Sequence, residues 1–245
     1  MSVELRFIGS GDAFGSGGRF QACLMLSGGG ENILIDCGAT SLTAMKRSGV
    51  DPSSIAAILI SHLHGDHFGG LPFLILDGQF SRRESPLVIA GPPSIEERTT
   101  AGMEVLFPGS SKIARRFDVT FSELPEREPT EIGPAVVTAI PVEHASGAAS
   151  YGLRVEYGGK VIAYSGDTEW TDTLIELARG ADVFVCEAYS FDKPMKFHLA
   201  YETLRQNLHR LECDRVVITH LHQSTLDRQD EIELQVAHDG LVLPL

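Results

Sequence analysis

A dense group of metal-ligating residue types lies in one short segment of the chain. The sequence HLHGDH at positions 62–67 places four imidazole or carboxylate side chains in six residues, directly after the apolar run AAILIS. Alternate side chains of an extended segment share a side, so His62 and His64 can bind one metal ion. Gly65 permits a sharp turn, after which Asp66 and His67 can face a second ion. Imidazole with one carboxylate suits Zn²⁺, with Mn²⁺ or Fe²⁺ as alternatives.

A site for two metal ions needs more ligands than this segment offers, and three further residues directly follow strand-like runs. They are His144 after VVTAIPVE, Asp167 after VIAYSG and His220 after RVVIT. We therefore predict two sets of three ligands with one carboxylate between them. The predicted sets are His62, His64 and His144 for one ion, Asp66, His67 and His220 for the other, and Asp167 as the bridge. This arrangement is typical of a dinuclear hydrolytic centre with two Zn²⁺ ions.

Such a centre has a defined chemistry. Two cations that share a water lower its pKa towards neutrality, and the resulting bridging hydroxide attacks an electrophile. Asp66 lies beside both predicted ions and is a candidate catalytic residue for relaying the proton. The charge of two Zn²⁺ is offset by Asp66 and Asp167 to about +2, which favours an anionic small-molecule substrate.

The elements that position these residues alternate along the chain. Short β-branched or apolar runs predict strands at 3–8, 22–26, 33–35, 57–60, 87–90, 119–121, 136–140, 151–155, 161–164, 183–186 and 216–218. Helical patterns occur at 41–47, 70–76, 95–106, 171–179 and 199–211, and the polar stretch 123–134 indicates a surface loop. Hairpin-like strands mixed with strand-helix units predict an α/β (α+β) fold with two mixed sheets covered by helices. We expect a single domain over residues 1–245.

Composition excludes several classes of protein. The chain has 33 acidic and 20 basic residues, a net charge of −13, which opposes stable binding to nucleic acid or to an anionic membrane. No apolar run is long enough to span a bilayer, and the N-terminus lacks the pattern of a signal peptide, so we expect a cytoplasmic protein. The four cysteines form no CxxC pair, which argues against a disulfide framework and a cysteine zinc site.

The motifs HLHGDH, a distant histidine, SGDT and a final TH resemble the metallo-β-lactamase superfamily. This resemblance implies an αββα four-layer sandwich with the site along one edge, and it implies that Asp36 in LIDCG supports the metal loop. A bridging aspartate at Asp167 is similar to the glyoxalase II, lactonase and RNase Z-like branches and unlike true β-lactamases. FIGSGDAFGSGGRFQAC and AYSGDTEWTD further resemble the RNase Z-like branch, which cleaves phosphodiesters.

The resemblance to the RNase Z-like branch has limits that bear on function. His198 falls where that branch often has a histidine that contacts the scissile phosphate, and it precedes the predicted helix 199–211, whose N-terminus would favour an anion. However, only one hairpin fits between His144 and Asp167, where tRNA-processing members carry a tRNA-gripping arm. LHQS also follows the final TH instead of FSxRY. Both departures argue against tRNA 3′ processing.

The sequence thus predicts a metal-dependent phosphodiesterase that acts on a small or cyclic phosphodiester. A lactone or thioester hydrolase is the main alternative, because the same centre attacks carbonyl carbon, and a non-catalytic metal-binding protein is a third. Some features stay open: His222 either lines the cleft or is a bystander, and LPFLILDGQF is a core helix or a homodimer interface. Basic residues that either contact phosphate or face solvent are Arg82, Arg83, Lys112, Arg115 and Arg116.

Overall fold

The computed structural model describes residues 2–245. The strands are β1 (Glu4–Gly9), β2 (Cys23–Ser27), β3 (Asn32–Ile35), β4 (Ile55–Leu59), β5 (Leu87–Gly91), β6 (Val119–Glu123), β7 (Thr130–Ile132), β8 (Ala135–Pro141), β9 (Tyr151–Tyr157), β10 (Lys160–Tyr164), β11 (Val183–Glu187), β12 (Val216–Thr219), β13 (Gln235–Val236) and β14 (Val242–Pro244). The α-helices are α1 (Ser41–Arg47), α2 (Gly65–Phe68), α3 (Leu71–Phe80), α4 (Ile95–Leu106), α5 (Thr173–Ala178), α6 (Tyr201–Asn207) and α7 (Gln223–Leu226).

Residues 2–245 form two seven-stranded mixed sheets, in the orders β14-β1-β2-β3-β4-β5-β6 and β13-β12-β11-β10-β9-β8-β7. In the first sheet the strands from β14 to β3 pair antiparallel, and those from β3 to β6 pair parallel. The second sheet repeats this plan, antiparallel from β7 to β10 and parallel from β10 to β13. The predicted pair of mixed sheets is confirmed.

Alternating side chains of the strands face two different layers. Ile33 and Ile35 of β3 join the core between the sheets, whereas Leu34 packs on the helices outside the first sheet. Likewise, β11 directs Val183 to the inner core and Phe184 towards α5 and α6. Strands that bury both faces must be apolar at nearly every position, which explains why they were recognisable as continuous apolar runs. The predicted αββα layering is confirmed.

The element boundaries differ from the predictions in a few places. All the predicted strands are present, but β13 and β14 were missed and β7 lies inside the predicted loop 123–134. The helix predicted at 199–211 begins only at Tyr201 and its α-helical part ends at Asn207. Its start is delayed because the Tyr201 amide donates to the carbonyl oxygen of Ser190, and Ala200 forms a bridge with Ser190. Within residues 2–245, no helix has both the length and the apolarity to cross a bilayer.

The Arg83 side chain has a structural role in the first sheet. Its side chain is buried, and the guanidinium donates hydrogen bonds to the carbonyl oxygens of Pro52, Ile55, Ser85 and Pro86 at 2.5 to 3.1 Å. All these acceptors are main-chain groups at or just before the first residues of β4 and β5. The guanidinium is therefore committed to holding these chain segments together.

We expect Arg83→Met to lower the free energy of unfolding by about 2 to 4 kcal/mol, because four carbonyl groups lose their donor and the one on Ile55 stays buried. Urea denaturation measures this change. The neighbouring Arg82 is exposed, so Arg82→Met should change the free energy by less than about 0.5 kcal/mol. Equal effects of the two substitutions would contradict the structural role of Arg83.

Candidate metal centre

The candidate site lies at the carboxyl ends of strands from both sheets. Its residues follow β3, β4, β8, β10 and β12, or end β11. Two glycines let the connecting loops approach closely: a Cβ on Gly38 would lie 2.2 Å from the carbonyl oxygen of Asp66, and one on Gly166 would lie 2.8 Å from that of Tyr151. Gly166 also has a φ of +58°, which favours glycine.

The predicted ligands come together in two groups whose ligand atoms lie within 4.8 Å of one another. One group contains His62, His64 and His144, and the other contains Asp66, His67, Asp167 and His220. Apart from Asp167, which falls in the second group, the division is the one predicted. His198 lies within the same distance of His144 and Asp167, and of Glu187 and His220. Each group combines residues from the HLHGDH segment after β4 with residues from the second sheet.

Asp167 lies between the two groups. Its Oδ1 atom is 3.3 Å from Nε2 of His67 and 3.5 Å from Nε2 of His220. Its Oδ2 atom is 3.9 Å from Nε2 of His62 and 4.0 Å from Nε2 of His144. One carboxylate oxygen thus faces each group, the arrangement that a bridging ligand requires.

Hydrogen bonds orient the imidazoles so that their other nitrogen faces the centre. His67 donates from Nδ1 to Asp36 Oδ2 at 2.6 Å, and His144 donates from Nδ1 to the carbonyl oxygen of Phe197 at 2.9 Å. Nδ1 of His62 lies 3.1 Å from Oγ of Ser61. A donor bond at Nδ1 leaves a lone pair on Nε2, which is the form that binds a metal ion.

Asp36 holds both sheets of the site together. Its fully buried carboxylate accepts hydrogen bonds from the amide and hydroxyl of Ser61, from the hydroxyl of Tyr164 and from His67. Ser61 belongs to the first sheet's loop and Tyr164 to β10 of the second sheet. The expected supporting role of Asp36 agrees with this geometry.

We expect Asp36→Ala to lower the free energy of unfolding by about 3 to 5 kcal/mol, because four buried donors lose their acceptor. Urea denaturation of protein purified in chelator separates this effect from metal loss. As a control, Asp77→Ala removes an aspartate that pairs with the half-exposed Lys46 and should cost at most about 1 kcal/mol. A similar loss in both variants would contradict the role assigned to Asp36.

The donor set fits divalent cations. Nε2 of His62 and Oδ1 of Asp167 are buried and have no hydrogen-bond partner among residues 2–245. Uncompensated lone pairs at this density are expensive to bury unless they bind a cation. Imidazole and carboxylate donors together suit Zn²⁺, Mn²⁺ or Fe²⁺.

The pKa shifts of His62 and Asp167 favour the protonation states that can bind a metal ion. Burial, followed by repulsion from His67, holds the pKa of His62 well below its usual range, so the imidazole is neutral. Burial alone would raise the pKa of Asp167, but the neighbouring His220 and His67 outweigh it and lower the pKa well below its usual range. Asp167 is therefore ionised.

His198 lies beside the two ligand groups and is partly exposed to solvent. Its side chain is 20% exposed, and Nδ1 lies 3.1 Å from Oε2 of the buried Glu187 and 3.9 Å from Oδ2 of Asp167. Its ring stacks on Tyr189 with centroids 4.6 Å apart. Because Glu187 engages Nδ1, Nε2 remains as the nitrogen that can reach a ligand. His198 lies before α6 in a turn, not directly at the helix start.

His222 has a mainly structural role, as the cap of a helix. It is the N-cap of α7, and its Nδ1 accepts a hydrogen bond from the amide of Ser224. The ring also lies 5.3 Å from the ring of Tyr189. His222 therefore borders the site without joining either ligand group.

Sequence reasoning missed two residues of the site. Glu187 directly follows the buried run VFVC, so the strand-exit pattern that identified Asp167 could have found it. Burial, then repulsion from Asp167, raises the pKa of Glu187 well above its usual range. Tyr189 carries no such signal, because an aromatic residue after a strand is most often part of a core.

The sandwich and the histidine-aspartate cluster at its strand ends define the class: this is a metallo-β-lactamase-fold protein with RNase Z-like relatives. The chain belongs to the Anti-Pycsar protein Apyc1 family, which matches residues 3–235.

Individual relatives agree with this assignment. The chain is 32% identical to an uncharacterized protein of Mycobacterium tuberculosis over 250 residues, covering 99% of this chain and 89% of the relative. It is 27% identical to Ribonuclease Z of Methanothermobacter thermautotrophicus over 286 residues, covering 96% and 91%. The crystal structure of human tRNase Z, short form, superposes with a TM-score of 0.79 at 26% identity and covers 98% of each chain. These relatives span almost the whole chain.

Proposed function

We propose that this protein is a dinuclear metal-dependent phosphodiesterase that acts on a small or cyclic phosphodiester. The observation that carries the proposal is the pair of ligand groups that share Asp167, with the His198–Glu187 pair beside them. Two relatives named as ribonuclease Z and tRNase Z support a reaction at phosphorus.

We assign one ion to His62, His64 and His144 and the other to Asp66, His67 and His220, with Asp167 shared. Zn²⁺, Mn²⁺ or Fe²⁺ in these places supplies Lewis acidity that activates water and neutralises phosphate charge. The neutral imidazole of His62 and the ionised carboxylate of Asp167 described above are suited to hold such ions.

Two residues of the chain act on the substrate and the water. Asp66 Oδ2 lies 3.2 Å from Nε2 of His67 and 3.1 Å from Nε2 of His220, at the centre of its group, where it can accept a proton from the attacking water. His198 donates a hydrogen bond from Nε2 to a non-bridging phosphate oxygen, where negative charge grows in the transition state. Glu187 holds the His198 ring in position through Nδ1.

The size of the substrate follows from the chain between His144 and Asp167. This stretch is occupied by β9 and β10, which pair as one hairpin that turns at Gly158 and Gly159. It therefore offers no long arm to grip a folded RNA. Together with the acidic net charge, this favours a small diester over precursor tRNA.

The test is hydrolysis of bis(p-nitrophenyl) phosphate by protein loaded with Zn²⁺ or Mn²⁺, measured as release of p-nitrophenolate. We expect turnover that is lost on chelation and restored by adding the metal back. Parallel assays use γ-butyrolactone, a thioester and precursor tRNA. Turnover of a lactone or thioester without any diester cleavage contradicts the proposal, as does the absence of metal-dependent turnover on every substrate.

A further inference from the structure

Strained backbone is concentrated at the candidate site. Within residues 2–245, six non-glycine residues have positive φ, and three of them belong to the site: Asp36 at +59°, Phe197 at +69° and His220 at +60°. A non-glycine residue in this conformation costs free energy and persists only where its surroundings require it. Each of the three side chains should therefore have a function that glycine could not supply.

Two of these side chains are already accounted for. Asp36 accepts four buried hydrogen bonds, and His220 belongs to the second ligand group. Phe197 is different: among the described residues it is a member of none of the three apolar cores, and its side chain is partly exposed. Stability of the apolar core therefore does not explain why a bulky aromatic residue occupies this position.

The backbone of Phe197 explains where its ring points. Its carbonyl oxygen accepts the 2.9 Å hydrogen bond from Nδ1 of His144, and the amide of His198 donates to the carbonyl oxygen of Met195. These bonds fix a tight turn between His144, a ligand of the first group, and His198, which lies near both groups. As a result the Phe197 ring lies 6.4 Å from the His144 ring, centroid to centroid.

The charge next to this ring suits a substituted phosphate. The ammonium group of Lys196 lies 4.5 Å from the ring centroid of Phe197. A cation thus covers one face of an aromatic ring at the edge of the candidate centre, in a chain whose net charge is −13. This combination matches a ligand that carries an anionic phosphate and a flat apolar substituent on the same molecule.

We propose that the Phe197 side chain is a specificity-determining residue that packs against a flat, ring-bearing substituent of the diester, the one retained on phosphorus after cleavage. The inference rests on the proposed phosphodiesterase function and names the substrate class of that same site. It also explains why the strained φ of Phe197 is retained, since the turn that orients His144 also directs the Phe197 ring to the substrate.

The test compares two diesters with the same leaving group, bis(p-nitrophenyl) phosphate and methyl p-nitrophenyl phosphate, which differ only in the retained substituent. For the wild type we expect a preference for the aryl diester in kcat/KM. Phe197→Ala and Phe197→Gly should each lower the aryl-to-methyl ratio about tenfold, mainly through KM, because one stacking contact is lost. Phe197→Tyr keeps the ring and should keep the ratio.

The alanine and glycine variants separate the ring from the backbone. Alanine keeps the strained φ and glycine relieves it, so the glycine variant should have the higher thermal midpoint while both lose the same selectivity. An unchanged aryl-to-methyl ratio in both variants would falsify the inference and assign Phe197 a purely structural role.

A binding measurement keeps this inference distinct from the proposed function. Calorimetry of the metal-loaded protein with phenylphosphonate and methylphosphonate needs no turnover. We expect Phe197→Ala to weaken phenylphosphonate about tenfold relative to methylphosphonate. If the wild type cleaves no diester but shows this selective loss, only the phosphodiesterase proposal fails. If diesters are cleaved but both phosphonates are affected alike, only the role of Phe197 fails.

Discussion

Replacing Asp167 with asparagine is expected to remove about one metal ion per chain and to lower kcat/KM for a diester by about 10³-fold. The carboxylate lies within 4.0 Å of imidazole nitrogens from both ligand groups and is 3% exposed. Asparagine keeps the shape of the side chain but removes the negative charge that the two proposed ions would share. Metal content after gel filtration and steady-state kinetics with bis(p-nitrophenyl) phosphate measure the two effects.

The control for this substitution is Asp182→Asn. Asp182 accepts hydrogen bonds from Lys160 and from the amide of Val161 at the first residues of β10 and β11, the opposite end of these strands from the ligand groups. This variant should retain its metal and keep activity within about twofold of the wild type. If Asp167→Asn instead retains the full metal content and most of the activity, the carboxylate does not bridge the ions.

His198→Ala is expected to lower kcat for the same diester by about 10²-fold while the metal content stays unchanged. The reason is that the proposed function places His198 outside both predicted ligand sets and assigns its imidazole to the phosphate of the substrate. Glu187→Gln should lower kcat by a smaller factor, at most about tenfold, because the amide can still form a hydrogen bond with Nδ1 and so keep the His198 ring in position.

His222→Ala provides the matched control for His198→Ala. Both rings contact Tyr189, His198 at 4.6 Å and His222 at 5.3 Å between centroids, but only His198 is bonded to Glu187. We expect His222→Ala to keep kcat within about threefold and to lose only the stability of a helix cap, about 1 kcal/mol. Equal losses of kcat in the two variants would indicate that the Tyr189 stack, and not the His198 imidazole, matters for catalysis.

Most of the fold could be predicted because central strands buried on both faces need apolar side chains without interruption. Ile33 to Ile35 and Val183 to Cys186 are examples, since each places neighbouring residues in different cores. The missed β13 and β14 are only two and three residues long, and β14 pairs with β1 at the other end of the chain. Local periodicity contains no information about such pairing.

The candidate site, like the fold, could be predicted from the sequence only in part. Residues whose type and strand-exit position indicate metal binding, such as His64 and Asp167, could be identified one by one. The partners that orient them could not. The carbonyl oxygen of Phe197 accepts a hydrogen bond from His144, 53 positions away in the sequence. Because this acceptor is a main-chain group, the residue type contains no information about it. The start of α6 was misplaced for a similar reason, because its first amide bonds to Ser190 across a tertiary contact.

The division of ligands between the two sheets has a consequence for folding. His62, His64, Asp66 and His67 follow β4 of the first sheet, whereas His144, Asp167 and His220 follow strands of the second. Neither half of the chain contains a complete set for either proposed ion, so we expect high affinity for a divalent cation to arise only when the sheets dock face to face. Cation uptake during refolding should therefore coincide with this late docking step, and excess metal should stabilise the docked chain over partly folded forms with one completed sheet.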